Sequence, residues 1–123
     1  MGNRAVIAFG GSHQKAPAIY LHWNGGRASV EGFLRAGREL GIKGTSAKTR
    51  DELAKAIQSF FGTGSVYPGT VAESDCDNRD NGLYIVDRNL EIIGREFHDG
   101  AEEIDAEKTE AIAAEVVAKV KGV

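Results

Sequence analysis

The chain has 123 residues, 41% of them hydrophobic and 27% charged, with a formal net charge of −3. That length and balance predict one soluble globular domain, residues 1–123, and exclude a disordered chain or a strongly basic duplex-DNA binder. Residues 1–60 carry nine Lys/Arg against four Asp/Glu, and residues 61–123 carry six against fourteen, so a half at +5 is joined to a half at −8. Such a split fits two opposite faces that complement each other between subunits, or a few arginines reserved for a small phosphate ligand. No apolar run reaches the length of a membrane span and no basic-then-apolar leader opens the chain, so no membrane contact is expected. Cys76 is the single cysteine, which leaves no intrachain disulfide and points to a reducing cytoplasm.

Arg4–Phe9 predicts a first strand and Ala18–Trp23 a second, joined through Gly10-Gly11-Ser12 and His13–Pro17 in a hairpin with a long tip. The second strand runs into Tyr20-Leu21-His22-Trp23-Asn24-Gly25-Gly26-Arg27, which holds the only tryptophan. Asn-Gly-Gly tolerates positive φ, and Arg27 lands where a helix begins. A helix N-terminus exposes unpaired N–H groups and a partial positive charge, so Arg27 beside it suits an anion seat. A tight strand-to-helix turn carrying a solvated arginine explains the same spacing.

Val30, Phe33, Leu34, Gly37 and Leu40 share one face of that helix, with Ser29 as its expected N-cap and Gly41 as its stop. A basic loop, Ile42–Arg50, follows. Asp51-Glu52 mark the expected start of a second helix, whose inner side is Leu53, Ile57, Phe60 and Phe61, ending at Gly62. Gly62–Gly82 is irregular, with a short strand at Ser65–Tyr67. Leu83–Asp87 and Leu90–Phe97 predict a hairpin about a tight turn at Arg88-Asn89. A last helix runs from about Ala101 or Asp105 to Lys121. Its stripe of Ile112, Ala113, Val116, Val117 and Val120 is expected to pack on a sheet or on a second subunit. The order β-β-α-α-β-β-α predicts an α+β fold on an antiparallel sheet, with two central helices and a C-terminal helix.

The chemistry-bearing residues are arginines, amides and aromatics. Gly41-Ile42-Lys43-Gly44-Thr45-Ser46 lacks the spacing of a nucleotide-hydrolysing loop, and Gly10-Gly11-Ser12 is explained by a hairpin tip. Asp75-Cys76-Asp77-Asn78-Arg79-Asp80-Asn81-Gly82 resembles a calcium loop in its alternating acids, but Arg79 and Val86 stand where oxygen ligands belong. An Asx-rich turn, or amides that grip a ribose or base edge, suits it better. His13, His22 and His98 do not recur at metal spacing, and Cys76 has no neighbouring base. Trp23 and Tyr67 can each present a ring for stacking. Arg95, after Gly94, can meet a ligand or pair with Glu91 or Glu96. Without a proton shuttle, metal or cofactor, binding without turnover is the expectation.

Asn3–Ile7, Ile19–Arg27, Phe60-Phe61-Gly62, Asp77–Tyr84 and Ile93–Glu96 together resemble the small phage anti-Thoeris proteins of the Tad type-one family, over about residues 3–97. The resemblance implies a sponge that sequesters a cyclic ADP-ribose-type signal made by a bacterial TIR-domain enzyme, without cleaving it, in the cytoplasm of the infected host. It implies an intertwined homodimer or higher homo-oligomer with pockets at the subunit interface. A separate site for cyclic di- or trinucleotides is found in some members. Carried onto this chain, Arg27 and Arg95 would meet the two phosphates, Asn78 the base or ribose, and Tyr67 would stack on the adenine. Trp23 belongs to the same set, with Arg50 and Asn81 as further contacts. Two other functions remain open at this point: a small phosphodiesterase or cysteine hydrolase acting on such a nucleotide, and a protein-binding inhibitor of a host defence factor.

Overall fold

Alternation along the first strand decides the layers. In the computed structural model, which describes residues 3–122, the elements run β1 (Ala5–Phe9), β2 (Pro17–Leu21), α1 (Arg27–Glu39), α2 (Ala47–Phe61), β3 (Val66–Thr70), β4 (Leu83–Val86), β5 (Ile92–Glu96) and α3 (Ala106–Lys121). Ala5, Ile7 and Phe9 share a core with Ile19, Leu21, Tyr84 and Val86, over which Val30, Phe33 and Leu34 of α1 and Leu53 and Ile57 of α2 pack. Val6 and Ala8 turn the other way, as successive strand residues must, and join Ala18 and Leu83 on the second face.

The α+β fold is the expected one. The sheet order is β3-β2-β1-β4-β5, with β1–β2, β2–β3 and β4–β5 antiparallel. One pair departs from the expected antiparallel sheet: β4 lies parallel to β1. Hairpin signals report only strands adjacent in sequence, and β1 and β4 are not. Because β3 and β4 flank the β2–β1 pair on opposite sides, their connection must cross that pair. Residues 71–82 make this crossing, and Val71 and Cys76 pack on the second face as they do so. This is why the most irregular stretch of the chain is still partly buried. Strand β3 is longer than predicted because Pro68 lies at a sheet edge, where its missing N–H costs no ladder bond.

Two helix starts correct the sequence expectations, and the third settles on Asp105, one of the two starts expected for the last helix. Gly26, without a side-chain cap, precedes α1, and Ser29 is buried in the first turn. Ser46 caps α2 by accepting from the Thr49 N–H at 3.3 Å, so Asp51-Glu52 fall inside the helix. Asp105 caps α3 by accepting from the Lys108 N–H at 3.0 Å. The stripe on α3 meets helices rather than an open sheet. Ile112, Ala113 and Val116 enter the main core, Thr109 Oγ1 donates to the Ala28 carbonyl at 2.8 Å, and Val120 stays exposed.

The two charged halves complement each other within one chain at several points. Arg4 Nε reaches Asp80 at 2.7 Å, and its Nη1 lies 3.9 Å from Asp75. Arg27 pairs with Glu102. Among the described residues, no helix is long and apolar enough to cross a membrane.

Candidate anion-binding site

The turn after β2 is shaped by backbone demands. Asn24 adopts φ +57, a conformation open to Asn at little cost. At Gly25 an added Cβ would lie 2.7 Å from both the Asn3 carbonyl oxygen and the Ala5 Cβ, so only glycine fits against β1. The Gly25 N–H donates to the Asn3 carbonyl at 2.8 Å, and its own carbonyl accepts from the Tyr84 hydroxyl at 2.7 Å. The turn is thereby bolted to the segment before β1 and to β4, and Arg27 leaves it as the first residue of α1.

Arg95 arrives from the other direction. It stands opposite Tyr84 in the β4–β5 ladder, and its guanidinium carbon lies 3.8 Å from the Tyr84 ring centroid, a cation–π stack on a buried ring. Arg95 Nη2 donates to the Asn81 carbonyl at 2.6 Å. The remaining Nη1 meets one oxygen of Glu102, while Arg27 Nη1 meets the other oxygen of the same carboxylate. Arg27 Nε also donates to Glu31 at 3.1 Å.

Arg27 and Arg95, remote in sequence, thus converge on a single two-oxygen anion. Burial works against ionisation of Glu102, but the bonds from Arg95 and Arg27 outweigh it and hold the carboxyl below its ordinary range. His98 Nε2 lies 3.4 Å from the same carboxylate without the alignment of a hydrogen bond. Arg95 Nε is likewise buried with no partner, so donor capacity is left over at the seat. The side chains of Arg27 and Arg95 are 22% and 13% exposed, a setting in which guanidinium–anion pairs are weakly screened.

Two cavities flank the seat. One, of about 270 Å³, lies between α1 and the β5–α3 connection, beside Arg27, Arg35 and Ile104. The other, of about 500 Å³, is lined by the carboxylates Asp77, Asp80 and Asp99 together with Arg79, Phe97 and His98, and reaches the seat through His98.

The other sequence candidates divide. Asn81 belongs to the seat: its carbonyl holds Arg95, and its amide donates to Asn3 Oδ1 at 2.6 Å. Trp23 is 45% exposed in the turn that delivers Arg27, with its ring edge-on to His22 at 5.0 Å. Asn78 is 2% exposed and spends its amide inside the loop. Its Nδ2 donates to the Asp75 and Gly82 carbonyls, and its Oδ1 accepts from the Asp80 and Gly82 N–H groups. Asn78 therefore organises the loop that delivers Asn81. Arg50 ties α2 to β3 by donating to the Gly69 carbonyl at 2.8 Å, far from the seat.

Tyr67 is also distant. It pairs with Tyr20, which pairs with Val6, then Leu83, then Glu96. That row spans four strand spacings, roughly 19 Å, and lies on the face opposite Arg95. Tyr67 and Tyr20, with ring centroids 6.1 Å apart, border a separate cavity of about 360 Å³ beside Glu73 and Asp75.

Sequence reasoning missed Glu102 and Tyr84 as parts of the seat, and left His98 among the unremarkable histidines. Tyr84 has no local signature, since its role comes from strand pairing. Glu102 is one acid in an acidic run, and its partners lie on other elements. Cys76 is disfavoured as a nucleophile: burial, with Asp75 and Glu96 nearby, pushes its thiol up. Compared with family models, with curated proteins and with solved structures, the chain matches none.

Proposed function

We propose that this protein is a phage counter-defence sponge. It binds a cyclic ADP-ribose isomer and sequesters it uncleaved in the cytoplasm of the infected bacterium. The observation that carries this reading is the convergence of Arg27 and Arg95 on opposite oxygens of one carboxylate. Two planar forks set around a shared anion suit a pyrophosphate, whose charge is spread over several oxygens. The flanking cavities offer space for the nucleoside ends. The resemblance of Trp23–Arg27 and Asp77–Tyr84 to the anti-Thoeris family supplies the ligand class. Tight capture would come from donors already held in place by Tyr84, Asn81 and the Gly25 turn, so that little order is lost on binding.

The direct experiment incubates the protein with lysate containing an activated TIR-domain enzyme, heats the washed complex, and identifies the released small molecule by mass spectrometry. An intact cyclic ADP-ribose isomer is expected. A linear product would mean cleavage, and a captured protein with no nucleotide would favour a protein-binding inhibitor; either overturns the sponge. Removing one charge-assisted phosphate partner from a partly buried seat costs on the order of 2–5 kcal/mol. Arg95→Ala should therefore lower calorimetric affinity for the isomer at least about tenfold.

A further inference from the structure

The connection from β5 to α3 supplies the carboxylate of the seat from outside any helix or strand. Residues 99–105 lie on the surface, and among the described residues no backbone group of residues 98–104 pairs with another backbone group. Its tether is one side chain: Glu102 reaches inward to Arg27 and Arg95. The same strap lines both cavities, with Ile104 on one and Phe97, His98 and Asp99 on the other. At the strap's β5 end Phe97 holds φ +58, a conformation that bulky side chains rarely adopt. Phe97 and Ile104 are 54% and 71% exposed, so two large apolar groups are held in water.

We propose that Glu102 is an intramolecular stand-in for the ligand's phosphate, and that the Phe97–Asp105 strap is a plug which an incoming anion displaces. The proposal rests on the reading that Arg27 and Arg95 form a phosphate seat. A carboxylate and a phosphate oxygen make the same charge-assisted bonds with a guanidinium, so the two compete for the same donors. The ligand adds what the carboxylate lacks, namely further oxygens for the unpartnered Arg95 Nε and for His98 Nε2. Release of Glu102 frees a strap that lines both cavities. Phe97 and Ile104 can then close over the flat parts of a nucleotide. Occupancy by Glu102 also spares the protein an Arg95 guanidinium without a carboxylate partner, beside an Arg27 that keeps only Glu31, when no ligand is bound. Its consequence is a binding-competent fraction below one, which weakens every anion in proportion.

The test compares the wild-type chain with Glu102→Gln, using inorganic pyrophosphate and linear ADP-ribose as probes in titration calorimetry. Glutamine keeps the shape and loses the charge. Glu102→Gln is expected to bind both probes at least about tenfold more tightly than wild type, and Arg27→Ala in the Glu102→Gln background is expected to abolish the gain. In the wild-type chain, pyrophosphate is expected to speed cleavage by a glutamate-specific protease at Glu102 and Glu103, because the strap leaves the seat. Equal affinities in the two chains, with unchanged proteolysis, would overturn the plug while leaving the phosphate seat standing. Failure of both chains to bind either probe would overturn the seat itself. Should Glu102→Gln fold poorly, the wild-type proteolysis decides alone: faster cleavage on adding pyrophosphate supports the plug, and an unchanged rate overturns it.

Discussion

Tyr84 carries two loads at once. Its ring is fully buried and supports the Arg95 guanidinium, while its hydroxyl holds the Gly25 carbonyl and so the turn before Arg27. Burial pushes its phenol up to about 12, against the opposing pull of the Arg95 charge. Because the folded state favours the neutral phenol, the stability it contributes is fully present below pH 10 and is lost as pH rises toward 12. A shift of that size corresponds to about 3 kcal/mol. Tyr84→Phe removes this alkaline sensitivity but leaves the Gly25 carbonyl without its donor, costing about 1–3 kcal/mol at neutral pH. Denaturant melts at several pH values should therefore show the wild-type advantage shrinking between pH 10 and 12. Parallel pH profiles for the two proteins would refute this account.

At the scale of elements, the contact between α1 and α3 sets where the strap ends. Gly32 is the point of closest approach: an added Cβ would lie 2.8 Å from Ile112 Cγ2 and 3.0 Å from the Thr109 carbonyl oxygen. Alanine at a helix interior is intrinsically better than glycine by up to about 1 kcal/mol. Overpacking against a backbone oxygen costs about 1–3 kcal/mol, and here α3 would have to move to relieve it. Gly32→Ala should therefore destabilise the protein despite the helix preference, and a lowered midpoint in thermal unfolding would show it. A raised midpoint would mean that α3 is loosely docked.

The helices themselves were legible because their apolar periodicity is local. Val30, Phe33 and Leu34 all reached the core expected of them. The starts of α1 and α2 were not, because several residues near each were plausible caps, whereas Asp105 was one of the two starts expected for α3. Ser46 and Thr49 settle the matter for α2 through one short bond, whereas acids at Asp51-Glu52 carried a signal with no structural counterpart. The extended span of β3 was hidden by Pro68, which penalises a central strand but not an edge.

At the scale of the molecule, the separation of Tyr67 from Arg95 has a consequence for assembly. They occupy opposite edges and opposite faces of the sheet, so one nucleotide cannot touch both within one chain. If Tyr67 stacks on the base whose phosphates sit at Arg27 and Arg95, it comes from a second copy. A mixture of Tyr67→Ala and Arg95→Ala chains should then recover binding that neither variant has alone, because one of the two pockets in a mixed dimer is intact. Calorimetry of the mixture, alongside sedimentation of each chain, measures this. A monomer in sedimentation, or no recovery on mixing, would assign Tyr67 to a different role.

By itself the sequence determined the α+β class, both hairpins and the helical faces, since each is written in local periodicity or turn chemistry, and it offered Arg27 and Arg95 as candidates by residue type. Only the tertiary structure decided that β4 lies parallel beside β1, that Asn78 is consumed by its own loop, and that Tyr67 stands on the far edge. It alone brought Arg27, Arg95 and Glu102 to one point. The physical reason is the same in each case: these relations join residues distant along the chain through strand pairing and a crossing loop. Neither leaves a periodic signal at either end.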